Sequence, residues 1–507
     1  MSFYDSFEKF ADRIAFLDDR GGQITYEQLK AFSESLGEKL KKRTLAFCLC
    51  ENSLGSAAGY LSFLRNRVVP LMLDRKIDAG LFGHLMEVYQ PEWLYFPSDM
   101  EEQMKERFPE YREVHRAYEY VLARACPVPA GMEKGGQAER TSSAGQTAAD
   151  PVPGSKETAD PTECELYGEL ALLLTTSGST GSPKLVRQSY RNIQSNAEAI
   201  AAYLELDDTE RPVSTLPMNY TYGLSVINSH VQVGATILLT DKTMAMKQFW
   251  DFMKNEKATS FPGVPFTYEL LKKVHFFRMD LPDLRYMTQA GGKLSPQLHR
   301  EFAEWCQENG KKFIVMYGQT EATARMGYLP AQESLRKYGS MGKEIPGGTF
   351  TLIDVDGSEI TETDKVGELV YKGDNVTLGY AECRADLSKG DERGGVLVTG
   401  DMAKRDAEGY YYIVGRKKRF LKIFGNRVNL DEIDRLIKTR FEEIDCASTG
   451  VDDRMTTFIT DESKIAEVRR YLAATTHLSE SAFDVRYLSE IPKNESGKTL
   501  YKELPQL

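Results

Sequence analysis

The chain has 507 residues, 41% of them hydrophobic and 27% charged, with a formal net charge of −11. That length exceeds one ordinary core and calls for at least two domains, while the acidic balance argues against the chain-wide basic footprint of a nucleic-acid binder. No apolar stretch approaches the roughly 18 residues of a membrane span, no signal-peptide pattern opens the N-terminus, and the histidines and cysteines lack zinc spacing, so a cytoplasmic protein with buried thiols is expected.

Residues 1–125 alternate between two periodicities. "ITYEQLKAFSESLGEKLKK" and "LGSAAGYLSFLRNR" carry apolar residues at helical spacing, whereas "TLAFCLC" and "VVPLML" read as strands. Such alternation implies an α/β layer with a largely parallel sheet. Residues 127–165 are rich in Pro, Gly, Ala, Ser, Thr and Glu and hold almost no large apolar side chains, which predicts a disordered surface insertion.

Order resumes at "LLLTTSGSTGSPKLV", residues 172–186. Gly178 and Gly181 allow close backbone approach, and Thr175, Thr176, Ser177, Ser179 and Thr180 add hydroxyls beside the amides, a surface suited to phosphate oxygens. It is not a Gly-Lys-Ser/Thr P-loop, because Ser182-Pro183 separates Gly181 from Lys184 and Pro183 disfavours helix. The segment is predicted as a turn between strands at about 170–176 and 184–189, holding phosphate through amides, hydroxyls and Lys184, or serving as a plain Gly/Ser turn.

Helix and strand signals alternate again through "GATILLT", "MKQFWDFMKNEK", "LSPQLHREFAEWCQENG" and "KKFIVMYG". After about residue 340 strands and tight turns take over, with hairpin signals at Asp356-Gly357 and Glu408-Gly409. The last stretch predicts a helix at about 430–441, capped by Asn429 with Glu432 completing something close to a capping box, then a second helix at 464–474 and a strand at 483–488.

Five segments stand in chain order: the loop 175–184, "YGQTEAT" (317–323), "TGD" (399–401), "YYYIVGRKKRFLKIFG" (410–425) and "NESGKT" (494–499). Together they resemble the superfamily of acyl-adenylate-forming enzymes, which includes acyl-CoA synthetases, peptide-synthetase adenylation domains and beetle luciferase. The resemblance extends over the chain except for 127–165. It implies an α/β fold: a large N-terminal adenylation domain (1–415) of layered α/β subdomains with a β-rich subdomain at about 340–415, then a small mobile α+β domain (416–507) carrying a catalytic lysine.

The chemistry implied is attack of a carboxylate on the α-phosphate of ATP, release of pyrophosphate, and capture of the acyl-adenylate by a thiol. By resemblance Thr176, Ser177, Gly178, Ser179, Thr180, Gly181 and Lys184 embrace the departing phosphates. Tyr317 lies against the adenine with Gly318 beside it, Thr320 is near the α-phosphate, and Glu321 holds Mg²⁺ together with Thr180; a hard cation bridging phosphates suits an anionic oxygen. Gly291 and Gly292 line the nucleotide and acyl pocket, Asp401 takes the ribose hydroxyls and Arg416 the ribose and phosphate side.

By the same resemblance, through its Ser-Gly-Lys context, Lys498 is the mobile cation that meets charge developing on phosphorus and carboxylate. Lys418 matches the hinge on which the small domain pivots between half-reactions, and Gly425 leaves room in the thiol tunnel. In "LPMNYTYGLSVINSH" the resemblance assigns Asn219, Tyr220, Tyr222 and Gly223 to the acyl pocket. Tyr222-Gly223 replaces the Phe-Asp pair of α-amino-acid adenylation domains, and Asn219 or Tyr220 stands where many acyl-CoA synthetases have histidine.

The small domain is shorter than that of a typical CoA ligase, so CoA and the phosphopantetheine of a carrier protein both remain open as acceptors. The expectation is an acid–thiol ligase using ATP, Mg²⁺ and a small-molecule carboxylic acid, in carboxylic acid or fatty acid metabolism, with an amino-acid or carrier-protein ligase of a biosynthetic cluster, a luciferase-like oxidation or a non-catalytic acyl or nucleotide sensor as the other readings. No nucleic acid and no membrane span are expected.

Overall fold

A computed structural model describes residues 2–126, 165–175, 184–423, 426–476, 478–493 and 499–505. An eight-stranded sheet runs in the order Gly379–Ala381, Leu185–Ser189, Leu170–Thr175, Val69–Asp74, Leu45–Cys50, Trp93–Pro97, Tyr120–Ala125, Tyr111–Ala117. Its four central strands, Leu170–Thr175 to Trp93–Pro97, are parallel, and the outer pairs are antiparallel. Leu45–Cys50 explains why the run is apolar at every position: Ala46, Cys48 and Cys50 enter one core, Leu45, Phe47 and Leu49 the other. The parallel expectation therefore holds for the middle of the sheet and gives way at both edges, where the strands pair antiparallel.

Local chemistry sets the helix ends. Thr25 and Gln28 form a reciprocal capping box, so the helix is Tyr26–Gly37 and "IT" before it belongs to the strand Gln23–Thr25. A second sheet has Ser260–Gly263, Tyr286–Gln289 and Lys312–Tyr317 in parallel, with Pro265–Lys273 and Pro296–Glu308 contributing to an aromatic core beneath it. These three strands end at Gly263, Gln289 and Tyr317, and open parallel sheets bind ligands beyond such carboxyl ends.

Residues 349–416 make an antiparallel sheet of Thr349–Ile353, Gly367–Lys372, Val396–Arg405 and Tyr411–Arg416. Gly357 and Gly409 turn at φ of +85° and +83°, as the Asp-Gly and Glu-Gly signals imply. From Leu421 to Val485 a separate core forms between the helices Leu430–Arg440 and Ile465–Thr476 and the strands Cys446–Val451, Arg454–Ile459 and Phe483–Tyr487.

Two expectations are corrected. Asn429 does cap Leu430–Arg440, its side chain accepting from the Asp431 amide at 3.0 Å, but Glu432 turns outward to pair with Arg435 and there is no capping box. The thiols are not uniformly buried: Cys48, Cys50, Cys306 and Cys446 are, whereas Cys126 is half-buried and Cys383 exposed. The insertion at 127–165 lies, apart from Glu165, outside the described residues. Among the described residues no helix is long and apolar enough to cross a membrane.

Candidate active site

One short run ties the site together. Strand Lys312–Tyr317 ends, Gly318 and Gln319 follow, Thr320–Ala322 make a single 3-10 turn, and Arg325 leads into the next strand. Gly318 is required by packing, since a Cβ there would lie 1.6 Å from the carbonyl oxygen of Ala324. Thr323 sits at φ +65° and its hydroxyl donates to the Asn375 carbonyl at 2.7 Å. Asn375 returns its amide to the carbonyls of Ala322 (2.9 Å) and Arg325 (3.0 Å), and Asn196 adds a third amide to Arg325 O at 2.9 Å. A strained turn persists when its surroundings over-determine it, and here two buried asparagines do so.

At the Tyr317 end, the phenol donates to Asp401 Oδ2 at 2.6 Å, and Gln319 Nε2 donates to the same oxygen at 2.9 Å and to Thr399 O at 3.1 Å. Asp401 and Arg416 are cross-strand partners, and Arg416 Nε lies 3.1 Å from Asp401 Oδ1. Asp401 is only 4% exposed, so these donors are what compensates a buried carboxylate. Burial, reinforced by Asp401, pushes the Tyr317 phenol well above its usual range.

At the Glu321 end, Tyr380 Oη donates to Glu321 Oε1 at 2.7 Å. Arg393 stands over the Tyr380 ring at 4.8 Å and donates to Glu321 O at 3.0 Å, while Lys184 Nζ lies 5.7 Å from the ring on the other strand and pairs with Glu382 at 2.7 Å. Burial and the Glu321 carboxylate push the Tyr380 phenol up to about 12. Arg187, fully buried, ties Leu185–Ser189 to this edge through Glu392 and the Tyr380 carbonyl. Thr175 and Lys184 thus mark the two ends of the hydroxyl-rich loop, and strands Leu170–Thr175 and Leu185–Ser189 pair as expected. Among the described residues no group of three or more His, Cys, Asp or Glu is arranged to hold a metal ion by itself.

A third group borders the sheet ends. Helix Thr221–Val233 begins beside Asn219 and Tyr220, both half-buried, and Tyr222 is buried with its hydroxyl 2.8 Å from Thr288 Oγ1. Gly291 turns at φ +81°, and a Cβ there would come 2.6 Å from the Tyr220 hydroxyl; Gly292 would meet Pro265 at 3.1 Å. At Gly223 a Cβ would lie 2.3 Å from the Pro217 carbonyl, so this backbone has no room for the aspartate that holds an α-ammonium.

The structure therefore brings together Tyr317, Gly318, Asp401 and Arg416, sets Glu321 against Tyr380, whose ring Lys184 also approaches, with Thr320 in the same 3-10 turn as Glu321, and gathers Asn219, Tyr220, Tyr222, Gly223, Gly291 and Gly292 into one border. Lys418 is exposed in the 3-10 turn Lys417–Arg419 between strands Tyr411–Arg416 and Phe420–Ile423. Thr176, Ser177, Gly178, Ser179, Thr180, Gly181, Gly425 and Lys498 lie outside the described residues. Gln319, Asn375, Asn196, Tyr380, Arg393 and Arg325 escaped the sequence reading. Gln319 lies inside the motif 317–323 and Arg325 two residues beyond it, so both were within reach, but Asn196, Tyr380 and Arg393 are distant in sequence and carry no local signal.

A family model described as "AMP-binding enzyme" matches residues 3–381. Oxalate–CoA ligase of Arabidopsis thaliana is 29% identical over 349 residues, which are 65% of this chain and 65% of that protein. The chain thus spans slightly less than two thirds of that relative. Among solved structures, O-succinylbenzoate coenzyme A synthetase from Bacillus subtilis in complex with AMP matches at TM-score 0.75 and 20% identity, covering 100% of this chain and 98% of that one. The same synthetase in complex with ATP and magnesium ion matches at TM-score 0.75 and 20% identity, covering 99% of each chain.

Proposed function

The chain belongs to the AMP-binding enzyme family, and from that premise we propose that it activates a carboxylic acid with Mg·ATP and transfers the acyl group to coenzyme A. The observation that carries the proposal is the run Tyr317–Glu321, which joins the Asp401–Arg416 pair at one end to the Tyr380–Glu321 contact at the other. A nucleotide laid along it would have its ribose at Asp401 and its phosphates toward Lys184 and the hydroxyl-rich loop.

The residues divide the work. Asp401, with two acceptor oxygens, exchanges its bonds from Tyr317 and Gln319 for the vicinal ribose hydroxyls. Glu321, oriented by Tyr380, offers an anionic oxygen to the magnesium that arrives with ATP. In the first step a carboxylate oxygen bonds to the α-phosphorus, the bond from that phosphorus to the β-bridging oxygen breaks, and pyrophosphate leaves with the electron pair. Lys498 supplies positive charge to that transition state. In the second step the thiol sulfur bonds to the acyl carbon, AMP leaves, and the thiol proton passes to solvent.

The division into 1–415 and 416–507 serves these two steps, with Lys418 as pivot. Support comes from the cores: Tyr411 packs in the β-rich core, Leu421 in the C-terminal one, and the exposed 3-10 turn lies between them. The deciding experiment is pyrophosphate release with Mg·ATP across a panel of acids, on wild type and Lys498→Ala, with CoA or a phosphopantetheinylated carrier protein added separately. Release that depends on Lys498 and turnover raised by CoA are expected. Turnover raised by the carrier alone replaces the acceptor, and ATP binding without release from any acid overturns the ligase in favour of a sensor.

A further inference from the structure

Three arginines are buried among the described residues: Arg187, Arg384 and Arg325, at 0%, 6% and 2% exposure. Arg187 is paired with Glu392 and Arg384 with Glu92. Arg325 has no carboxylate within ion-pair distance among the described residues. Its Nη1 donates to the Tyr203 hydroxyl at 3.0 Å and to Met316 Sδ at 3.2 Å, its guanidinium stands 5.0 Å over the Tyr222 ring, and its Nε has no hydrogen-bond partner among the described residues. His230, in the same layer, is bonded through Nδ1 to Val226 O and through Nε2 to the Tyr286 hydroxyl, and burial holds it neutral. Glu210, which also acts on Tyr286, is paired with Arg285 at 3.0 Å.

A buried guanidinium that meets only neutral groups among the described residues carries a desolvation cost that no paired charge offsets. Its position follows a line of contacts from the surface inward. Gly291 meets Tyr220, Tyr220 meets Tyr222 edge-on with centroids 6.3 Å apart, and Tyr222 lies under Arg325. Gly291 is exposed and Tyr220 half-buried, so this is a path from the border of the acyl pocket to its floor.

We propose that Arg325 is the specificity residue at the floor of the acyl pocket and receives a second anionic group, a carboxylate or sulfonate, at the far end of the carboxylic acid substrate. Guanidinium nitrogens suit planar oxyanions, and Nε with Nη is the edge that binds a carboxylate through two bonds. The side chains of Tyr220 and Tyr222 must swing aside to admit the acid, which is why the floor is closed here. The proposal rests on the ligase reading for its substrate but not for its binding site.

The test is calorimetric binding of α,ω-dicarboxylic acids and sulfonated carboxylic acids of increasing length, each against the monocarboxylic acid of equal length. It is run on the full chain with Mg·AMP present, beside pyrophosphate release with Mg·ATP. Wild type, Arg325→Met and Arg325→Lys are compared, with Mg·AMP affinity and melting temperature as folding controls. A dianionic acid is expected to bind wild type at least about tenfold more tightly than its monocarboxylic partner. Arg325→Met should erase that preference and Arg325→Lys restore part of it. Arg325-dependent binding without pyrophosphate release supports the site while the ligase reading falls. Preference for a monocarboxylic acid, a dianion preference that survives Arg325→Met, or no dianionic acid binding at all overturns the proposal.

Discussion

Tyr317 and Asp401, 84 positions apart in sequence, meet at 2.6 Å, the phenol donating to the carboxylate that Arg416 holds from the opposite strand. The contact joins the carboxyl end of a parallel strand to the middle of an antiparallel one, so the second sheet and the β-rich subdomain are registered by the residues proposed to take ATP.

Replacing Asp401 by Asn keeps an acceptor for Tyr317 but removes the charge opposite Arg416 and the stronger acceptor for ribose. Hydrogen bonds to charged groups contribute about 1.5–3 kcal/mol, so Mg·ATP affinity should fall by about tenfold or more. Equilibrium binding of a fluorescent ATP analogue measures this. Unchanged affinity with an intact fold would remove Asp401 from the nucleotide site.

Tyr380→Phe deletes one hydroxyl and leaves its ring between Arg393 and Lys184. Glu321 then loses its orienting donor. The magnesium concentration needed for half-maximal pyrophosphate release should rise several-fold, and kcat should drop by about tenfold, with little change in melting temperature. An unaltered magnesium dependence would show that Glu321 needs no such support.

Gly318→Ala and Gly357→Ala separate two reasons for glycine. At 357 the cost is the left-handed φ of +85° alone, with open space around a Cβ, and should be about 1 kcal/mol. At 318 the Cβ would overlap the Ala324 carbonyl at 1.6 Å, so the 317–325 turn has to move and nucleotide binding should be lost together with stability. Urea unfolding and ATP titration of both variants check this, and a Gly318→Ala protein with wild-type ATP affinity would refute it.

Two buried histidines give stability a pH dependence. His299 accepts from the Gly339 amide at Nδ1 and contacts Ser334 at 2.9 Å through Nε2, and burial lowers it to about 4; His230 is lowered to about 3 by burial and then by Arg325. Unfolded, both take up a proton near pH 6.5. As pH falls from about 6.5 toward 4, the unfolded chain binds protons that the native one refuses, and stability declines by about 1.4 kcal/mol per pH unit for each histidine. Below about 4 the native His299 also protonates and its contribution stops changing. Urea midpoints from pH 7 to 4 should show the decline, flatter by one proton in His299→Gln; equal slopes in variant and wild type would exclude His299 as a cause.

Period and punctuation were sufficient to read most elements. "LAFCLC", "KKFIVMYG" and the Asp-Gly and Glu-Gly turns are local signals, because alternation, continuous apolarity and a left-handed turn are fixed by neighbouring residues. Motif order likewise identified the family and nominated Tyr317, Glu321, Asp401 and Arg416, since close backbone approach and anionic acceptors impose residue types at set spacing. Tertiary structure alone decided what those residues touch. That Tyr380 orients Glu321, that two asparagines clamp the 320–325 turn, and that Arg325 is a buried arginine with no carboxylate partner among the described residues all depend on contacts between segments far apart in the chain. A desolvated charge is a property of everything packed around it, and no window of sequence contains that surrounding.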